Sequence, residues 1–290
     1  MDIRKAVTAV AGIVLLGGCA VAPQKSTGRL RVVTTIGVLA DWARQVGGDR
    51  VEVTSLLTGN ESPHTYEAKP QDAAALARAD ILFRVGLGLE EWLGPVVENA
   101  ANKRLVTVDA SAGITDIIQG DEHDRSGNPH IWLDPEYAKT GISNLAKELV
   151  RLDPKGESLY RRQEAGFREQ LDSLMTAINR QVATLSDRRF VSFHGAWPYF
   201  ARRFGLTIVA TVEPIPGQEP SAKELARLVD LIRRERIKVI TSEPQLPSSL
   251  PEMLAKETGA KLVSLNSLEY EGGYIVVLGT STNALINALR

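Results

Sequence analysis

The sequence predicts an α/β fold of two lobes, each built on a parallel sheet and joined by one long rigid helix. In both halves of the chain, short apolar runs rich in β-branched residues alternate with helical patterns, an order typical of parallel sheets covered by helices. Between the halves, residues 154–186 carry a helical pattern of about 30 residues, longer than most helices of globular proteins. A chain of 290 residues is long enough to bury two such cores.

The first lobe is predicted to span residues 29–153. Its strands are expected at residues 30–36, 51–57, 81–85 and 104–108, with helices at 38–46, 70–79 and 89–100 between them. A polar loop with three glycines follows at residues 109–129. The pair Asp134-Pro135 then begins a further helix, because aspartate is a favoured N-cap and proline suits the first turn.

The linking helix is predicted to begin at Asp153-Pro154, which repeats the same start signal. Apolar residues then follow the three- and four-residue spacing of one helix face: Leu171, Leu174, Met175, Ile178, Val182 and Leu185. A continuous helix of this length would connect the two lobes.

The second lobe is predicted to span residues 187–290 and repeats the alternation. Its strands are expected at residues 189–193, 206–212, 237–241 and 261–265, with helices at 197–204, 251–258 and 274–289. Ser221 and Glu224 form the S-x-x-E pattern of a capping box, which opens one more helix that reaches Arg234.

The N-terminus is predicted to be a lipoprotein signal peptide, residues 1–18, followed by a flexible tether, residues 19–28. Two basic residues precede an apolar stretch of about a dozen residues, a pattern typical of secretory signals and too short to span a bilayer. Leu16-Gly-Gly-Cys19 resembles the lipobox of bacterial lipoproteins, in which the signal is cut before the cysteine and the thiol carries diacylglycerol. The resemblance implies an extracytoplasmic protein, in the periplasm or on the cell surface, anchored to a bacterial membrane by a lipid on Cys19. A plain signal peptide with an incidental cysteine is the alternative.

The composition excludes several classes of function. The chain has 34 Lys and Arg against 35 Asp and Glu, a net charge of −1, which argues against a nucleic-acid partner. Its single cysteine leaves no internal disulfide and no multi-cysteine metal site. The sequence also lacks the G-x-S-x-G, H-E-x-x-H, C-x-x-C and P-loop motifs of common enzyme classes.

Three of the four histidines follow predicted strands. His64 comes after the second strand, His130 after the loop that leaves the fourth, and His194 directly after strand 189–193. Ligands of open α/β sheets bind beyond the carboxyl ends of the strands, so we expect these imidazoles to share one site. Three converging imidazoles suit a transition metal, especially Zn²⁺. The fourth histidine, His123, lies in an acidic stretch of the polar loop. Two interpretations of this stretch stay open: transient capture of metal, or a solvated acidic loop.

At these histidines the chain resembles the metal-binding solute-binding lipoproteins of zinc and manganese ABC transporters, some once labelled adhesins. The motifs that carry the resemblance, besides His64, are Asn128-Pro-His-Ile-Trp-Leu-Asp-Pro135, His194-Gly-Ala-Trp-Pro-Tyr-Phe200, Val212-Glu-Pro-Ile-Pro-Gly-Gln-Glu-Pro-Ser221 and Ser242-Glu-Pro-Gln245. The match covers about residues 30–289.

The resemblance implies two α/β lobes joined by a stiff helix, with the metal held in the cleft between them. It assigns His64 and His130 as ligands from the first lobe and His194 as a ligand from the second. It also implies a binding protein, not an enzyme, that acts as a monomer and hands its metal to an ABC permease and its ATPase.

The fourth metal ligand is the point where the sequence departs from the family. The family commonly has an aspartate after the last strand of the second lobe, and here Asn266 stands in that place. Asn266 itself, Glu269 or Glu271 of the same loop, or a water could complete the site. Because Mn²⁺ is the harder ion and manganese-selective relatives carry a carboxylate at the position of His194, this ligand set favours Zn²⁺ over Mn²⁺.

Two other functions are weighed against metal delivery. Three histidines with one open position also describe a catalytic zinc, so a secreted zinc-dependent hydrolase with Glu269 as general base is one alternative. A surface adhesin indifferent to metal is the other. Metal binding needs neutral imidazoles, so the affinity is expected to fall as the pH drops toward about 6.5.

Overall fold

The computed structural model describes residues 28–58, 61–119, 126–214, 218–268 and 272–290. The predicted signal peptide, residues 1–18, the proposed lipid site at Cys19 and most of the tether lie outside these residues. None of the described helices has both the length and the apolar character needed to cross a membrane.

The first lobe is a parallel sheet covered by helices. Its strands are β1 (Leu30–Thr34), β2 (Val51–Ser55), β3 (Ile81–Arg84) and β4 (Val106–Asp109), and its helices are α1 (Gly37–Gly47), α2 (Pro70–Leu76), α3 (Leu93–Ala100) and α4 (Pro135–Leu152). The strands are all parallel in the order β2-β1-β3-β4. Asp134 caps α4 as predicted, because its carboxylate accepts the backbone N–H of Glu136 at 2.9 Å.

A second parallel sheet follows the linking helix α5 (Glu157–Val182). Its strands are β5 (Arg189–His194), β6 (Thr207–Glu213), β7 (Val239–Ser242) and β8 (Lys261–Ser264), and its helices are α6 (Pro198–Phe204), α7 (Ala222–Arg234), α8 (Ser249–Thr258) and α9 (Tyr274–Leu289). The strand order is β6-β5-β7-β8, again all parallel. The predicted capping box opens α7, where the Ser221 hydroxyl accepts the Glu224 N–H at 3.3 Å.

Two helix starts differ from the sequence prediction by three residues or more. Residues Pro154–Gly156 form a 3-10 turn, and α5 begins only at Glu157, because the Asp153 carboxylate binds Arg50 and Tyr160 and does not cap the helix. The helix expected from residue 89 begins at Leu93. There the chain first makes a turn in which the Glu90 carboxylate accepts the backbone N–H groups of Val85 and Gly86.

Apolar contacts run continuously from one sheet to the other. One core cluster contains Trp42 of α1, Phe167 of α5, Tyr199 of α6 and Tyr274 of α9, all nearly inaccessible to solvent. The Asp41 carboxylate accepts the Tyr274 backbone N–H at 2.9 Å, so α1 of the first lobe contacts the start of the last helix. This shared core holds the two sheets in a fixed relation, with the carboxyl ends of their strands facing the region between them.

Candidate metal centre

The three histidines that follow strands meet between the two sheets. The Nε2 atoms of His64 and His130 are 3.1 Å apart, and one ligand nitrogen from each of His64, His130 and His194 lies within 4.8 Å of the others. Two nitrogens bound to one tetrahedral Zn²⁺ at about 2.0–2.1 Å would be separated by about 3.3 Å. The three side chains are therefore close enough to bind a single ion.

His130 is oriented by its own loop. The side-chain oxygen of Asn128 lies 3.0 Å from the His130 backbone nitrogen and 2.9 Å from its Nδ1 atom. An amide oxygen only accepts, so Nδ1 carries the proton and Nε2 keeps a lone pair for a metal. The Asn128 amide nitrogen donates to the carbonyl of Gly195 at 2.8 Å, which joins the loop of His130 to the residue after His194.

His194 is oriented by a buried carboxylate. It is the last residue of β5, so the strand extends one residue further than predicted and His194 is not in the loop that follows. Its Nδ1 atom lies 3.1 Å from Oε1 of Glu243, the residue that directly follows β7. The other oxygen of Glu243 accepts the Ser267 hydroxyl at 2.5 Å and the Gln245 amide at 2.9 Å. The Nε2 atom of His194 is buried and has no hydrogen-bond partner among the described residues, so its lone pair is available to an ion.

The electrostatic environment keeps the site ready for a cation. Burial lowers the pKa of His130 well below its usual value near 6.5, and the neighbouring imidazoles of His194 and His64 lower it further. His130 is therefore neutral at neutral pH, which is the form that binds a metal. A carboxylate hydrogen-bonded to a ligand histidine also raises the basicity of that ligand.

A cavity of about 570 Å³ lies between the lobes beside the histidines. Its lining includes Thr65 and Phe193, the sequence neighbours of His64 and His194. Glutamates outnumber lysines in that lining, which contains Glu61, Glu67, Glu213 and Glu219 against Lys69. Such an acidic opening raises the local concentration of cations.

The residues proposed for the fourth ligand are only partly described. Asn266 follows β8, and its side-chain oxygen accepts the Leu268 backbone N–H at 3.2 Å. The next residue, Ser267, contacts Glu243, so this loop reaches the shell around His194. Glu269 and Glu271 lie outside the described residues, as does His123 of the polar loop.

The second-lobe loop is also bound to the first lobe. The Trp132 indole N–H donates to the Ser267 carbonyl at 2.7 Å, and the Tyr274 hydroxyl donates to the Trp132 carbonyl at 2.5 Å. The ring of Trp132 packs 5.0 Å from the ring of His130, measured between centroids. Trp132, which packs against His130, and Glu243, which orients His194, therefore both form a hydrogen bond with Ser267.

Comparison with known proteins agrees with this geometry. The family described as "Zinc-uptake complex component A periplasmic" matches residues 32–288. The high-affinity zinc uptake system protein ZnuA of Bacillus subtilis (strain 168) is 28% identical over 281 residues, covering 90% of this chain and 88% of the relative. The manganese ABC transporter substrate-binding lipoprotein PsaA of Streptococcus pneumoniae is 26% identical over 252 residues, covering 84% and 78%.

The same family appears among solved structures. A crystal structure of ZnuA superposes with a TM-score of 0.84 at 32% sequence identity, covering 90% of this chain and all of the other. The family consists of substrate-binding components of transporters, so the chain is a metal-binding transport protein and not an enzyme, and the hydrolase alternative is wrong. Since the match extends over most of its length, the chain belongs to the family of periplasmic A components of zinc-uptake complexes.

Proposed function

We propose that the protein captures Zn²⁺ outside the cytoplasm and delivers it to the membrane permease of an ABC transporter, which its ATPase drives. The observation that carries the proposal is the convergence of His64, His130 and His194, whose ligand nitrogens lie within 4.8 Å of one another. Buried acceptors bind Nδ1 of His130 and of His194, so that Nε2 of each ring faces the shared centre. A site whose ligands come from both lobes suits capture, because the two sheets together enclose one ion at the edge where their strands end.

Zinc is proposed over manganese because the assigned donors are imidazole nitrogens. Mn²⁺ is a harder ion and prefers carboxylate oxygens, whereas Zn²⁺ readily accepts three histidines. The residue at the aspartate position of the family is the neutral Asn266. The relatives include proteins named for zinc and for manganese, so the ligand set of this chain supplies the argument for zinc.

The fourth ligand is proposed to come from the segment after β8, or to be water. The Asn266 side chain would supply a neutral amide oxygen, the same atom that accepts the Leu268 backbone N–H in this structure. Glu269, three residues further, would supply a charged oxygen instead. Either residue would link metal binding to the loop that also carries Ser267.

The protein is proposed to act as a monomer held to a bacterial membrane by a lipid on Cys19. The sequence supports this through its lipobox, and the related PsaA is named a lipoprotein. Metabolic labelling with palmitate tests the anchor: the parent is expected to incorporate label and Cys19→Ala to lose it. Label in both variants, or in neither, would contradict the assignment.

The metal assignment is tested by competitive titration of chelator-stripped protein, residues 20–290, with Zn²⁺ and Mn²⁺. One tight zinc site per chain and weak manganese binding are expected. His64→Ala, His130→Ala and His194→Ala should each lower the affinity for zinc at least about 100-fold. Each variant removes a ligand, and loss of a residue that only orients a ligand already costs about 10- to 100-fold in metal affinity. His123→Ala is the matched control and should bind like the parent. Unchanged affinity in all three ligand variants would overturn the site.

A further inference from the structure

Four arginines surround a cavity of about 350 Å³ on the first lobe, far from the metal centre. We call this group, Arg29, Arg31, Arg78 and Arg104, the arginine patch. Arg29 and Arg104 lie just before β1 and β4, and Arg78 lies just before β3. The patch is therefore at the amino edge of the first sheet, whereas the metal centre lies beyond the carboxyl ends of the strands.

The arginines of the patch differ from several other arginines of the described chain in their lack of paired carboxylates. Arginines elsewhere in the described chain, such as Arg50 and Arg203, form ion pairs at 2.6 and 2.7 Å. Within the described residues, no arginine of the patch forms an ion pair. The one acidic residue in the lining, Asp80, accepts the backbone N–H of Arg31 at 2.8 Å.

The backbone that carries the patch is held in place by hydrogen bonds. The Asn102 amide nitrogen donates to the carbonyls of Leu76 and Ala79 at 2.9 and 2.8 Å, which ties the turn before β4 to the turn before β3. Arg31 reaches across to the Arg78 carbonyl at 3.4 Å. Three of the four guanidinium groups, those of Arg29, Arg78 and Arg104, belong to exposed residues. The patch is thus a fixed, solvent-accessible concentration of positive charge on a chain whose net charge is −1.

The chemistry of the patch fits a phosphate group. Guanidinium groups bind phosphate oxygens through paired N–H donors. Several arginines around one cavity therefore suit a negatively charged phosphate headgroup, whose oxygens accept several hydrogen bonds at once. The position suits a membrane source of that phosphate. Arg29 is ten residues after Cys19, so covalent geometry limits its distance from a lipid on Cys19 to about 36 Å.

We propose that the arginine patch binds the phosphate headgroups of anionic phospholipids in the membrane that holds the lipid anchor. This inference rests on the anchor proposed at Cys19. Because the patch and the metal centre lie at opposite edges of the first sheet, this contact turns the metal cleft toward the solvent, where zinc is captured. Release of the contact then frees the whole protein to reorient toward the permease.

The experiment measures sedimentation of unlipidated protein, residues 20–290, with vesicles of 70% phosphatidylethanolamine and 30% phosphatidylglycerol, and with pure phosphatidylcholine vesicles. Binding only to the anionic vesicles, weakening as salt rises, is expected. The fourfold variant Arg29→Gln, Arg31→Gln, Arg78→Gln, Arg104→Gln should bind at least about tenfold more weakly, since each basic residue near an anionic surface contributes severalfold.

A second fourfold variant controls for net charge. Arg44→Gln, Arg162→Gln, Arg180→Gln and Arg227→Gln remove the same charge from exposed arginines elsewhere, and this variant should bind the vesicles within about twofold of the parent. Equal loss in both variants, or no binding by the parent, would overturn the proposal. So would tight binding of inorganic phosphate by the parent without vesicle binding, which would assign the patch to a free anion. Zinc titration of the same samples keeps this outcome separate from the proposed function, because all variants should bind zinc like the parent.

Discussion

The Nδ1 atom of His194 lies 3.1 Å from Oε1 of Glu243, and this contact decides which ring nitrogen of His194 faces the metal centre. The Glu243 side chain is fully buried, and Ser267 and Gln245 hold its second oxygen. The carboxylate therefore fixes both the tautomer and the rotation of the imidazole. It joins β5 and β7 at the point where the metal is expected to bind.

Replacing Glu243 tests this positioning role. Glu243→Ala should weaken zinc about 10- to 100-fold, the usual cost of losing a partner of a ligand histidine. Glu243→Gln should lose less, because an amide oxygen can still accept the Nδ1 proton. The absorption spectrum of the Co²⁺-loaded protein should change in Glu243→Ala, since the ring of His194 loses its fixed orientation. Glu252→Ala, an exposed glutamate of α8, is the control. Parent-like affinity and spectrum in Glu243→Ala would reject the role.

Asn128 is expected to have two separable roles. Its oxygen orients His130, and its amide nitrogen donates to the Gly195 carbonyl across the lobes. Asn128→Ala removes both interactions and should weaken zinc at least about tenfold and lower the unfolding temperature. Asn128→Asp keeps the acceptor but loses the donor, so it should unfold earlier yet bind zinc close to the parent. Zinc titration and thermal unfolding of the two variants measure this. If Asn128→Asp loses as much zinc affinity as Asn128→Ala, orientation of His130 is not what Asn128 supplies.

The convergence of the three histidines was predictable because parallel strands end at one edge. His64, His130 and His194 each follow a strand that the sequence marks clearly, so their meeting needed only the topology. The supporting residues were missed. Glu243 comes two residues after the strand predicted at residues 237–241, at the same edge as His194, and that position is the available signal. A single carboxylate after a strand has many possible partners, and only the packing of β5 against β7 selects His194.

The linking helix shows the opposite case. Its apolar spacing predicts the helix correctly, but the predicted start is wrong, since Asp153-Pro154 has the same local pattern as Asp134-Pro135. Asp134 caps its helix, whereas the Asp153 carboxylate is occupied by Arg50, 103 residues away in the sequence. A contact at that separation overrides a local capping preference, and sequence spacing alone does not reveal it. The predicted domain boundaries at residues 153 and 186 stay predictions.

The contact of Asp153 with Arg50 predicts a pH-dependent stability. Two hydrogen bonds of 2.6 and 2.9 Å from Arg50 lower the pKa of Asp153 below its ordinary 3.8, with a further bond from Tyr160. A carboxylate whose pKa is lowered in the folded state stabilises the fold at pH values above its ordinary pKa. That stabilisation is lost as the pH falls through the pKa of the folded state. Asp153→Asn should therefore lower the unfolding temperature at pH 7 by about 3 °C.

The difference between Asp153→Asn and the parent should narrow as the pH falls below about 4. Thermal unfolding between pH 7 and pH 3 measures both effects. Asp49→Asn, an exposed aspartate in the turn that also carries Arg50, should unfold like the parent throughout. A difference that widens in acid would mean that the ion pair does not stabilise the fold.

Metal preference should depend on the donor at position 194, because Mn²⁺ prefers carboxylate oxygens and this chain places an imidazole there. His194→Glu supplies a hard oxygen donor, which should weaken zinc and strengthen manganese, lowering the preference for zinc at least about tenfold. The new carboxylate would face the buried carboxylate of Glu243, and two like charges there oppose binding-site formation in the absence of metal. The double variant His194→Glu with Glu243→Gln removes that repulsion and should show the larger shift. Competitive titration with both ions measures the preference. An unchanged zinc preference in the double variant would mean that the donor at position 194 does not select the metal, and that the segment containing Asn266 and Glu269 does.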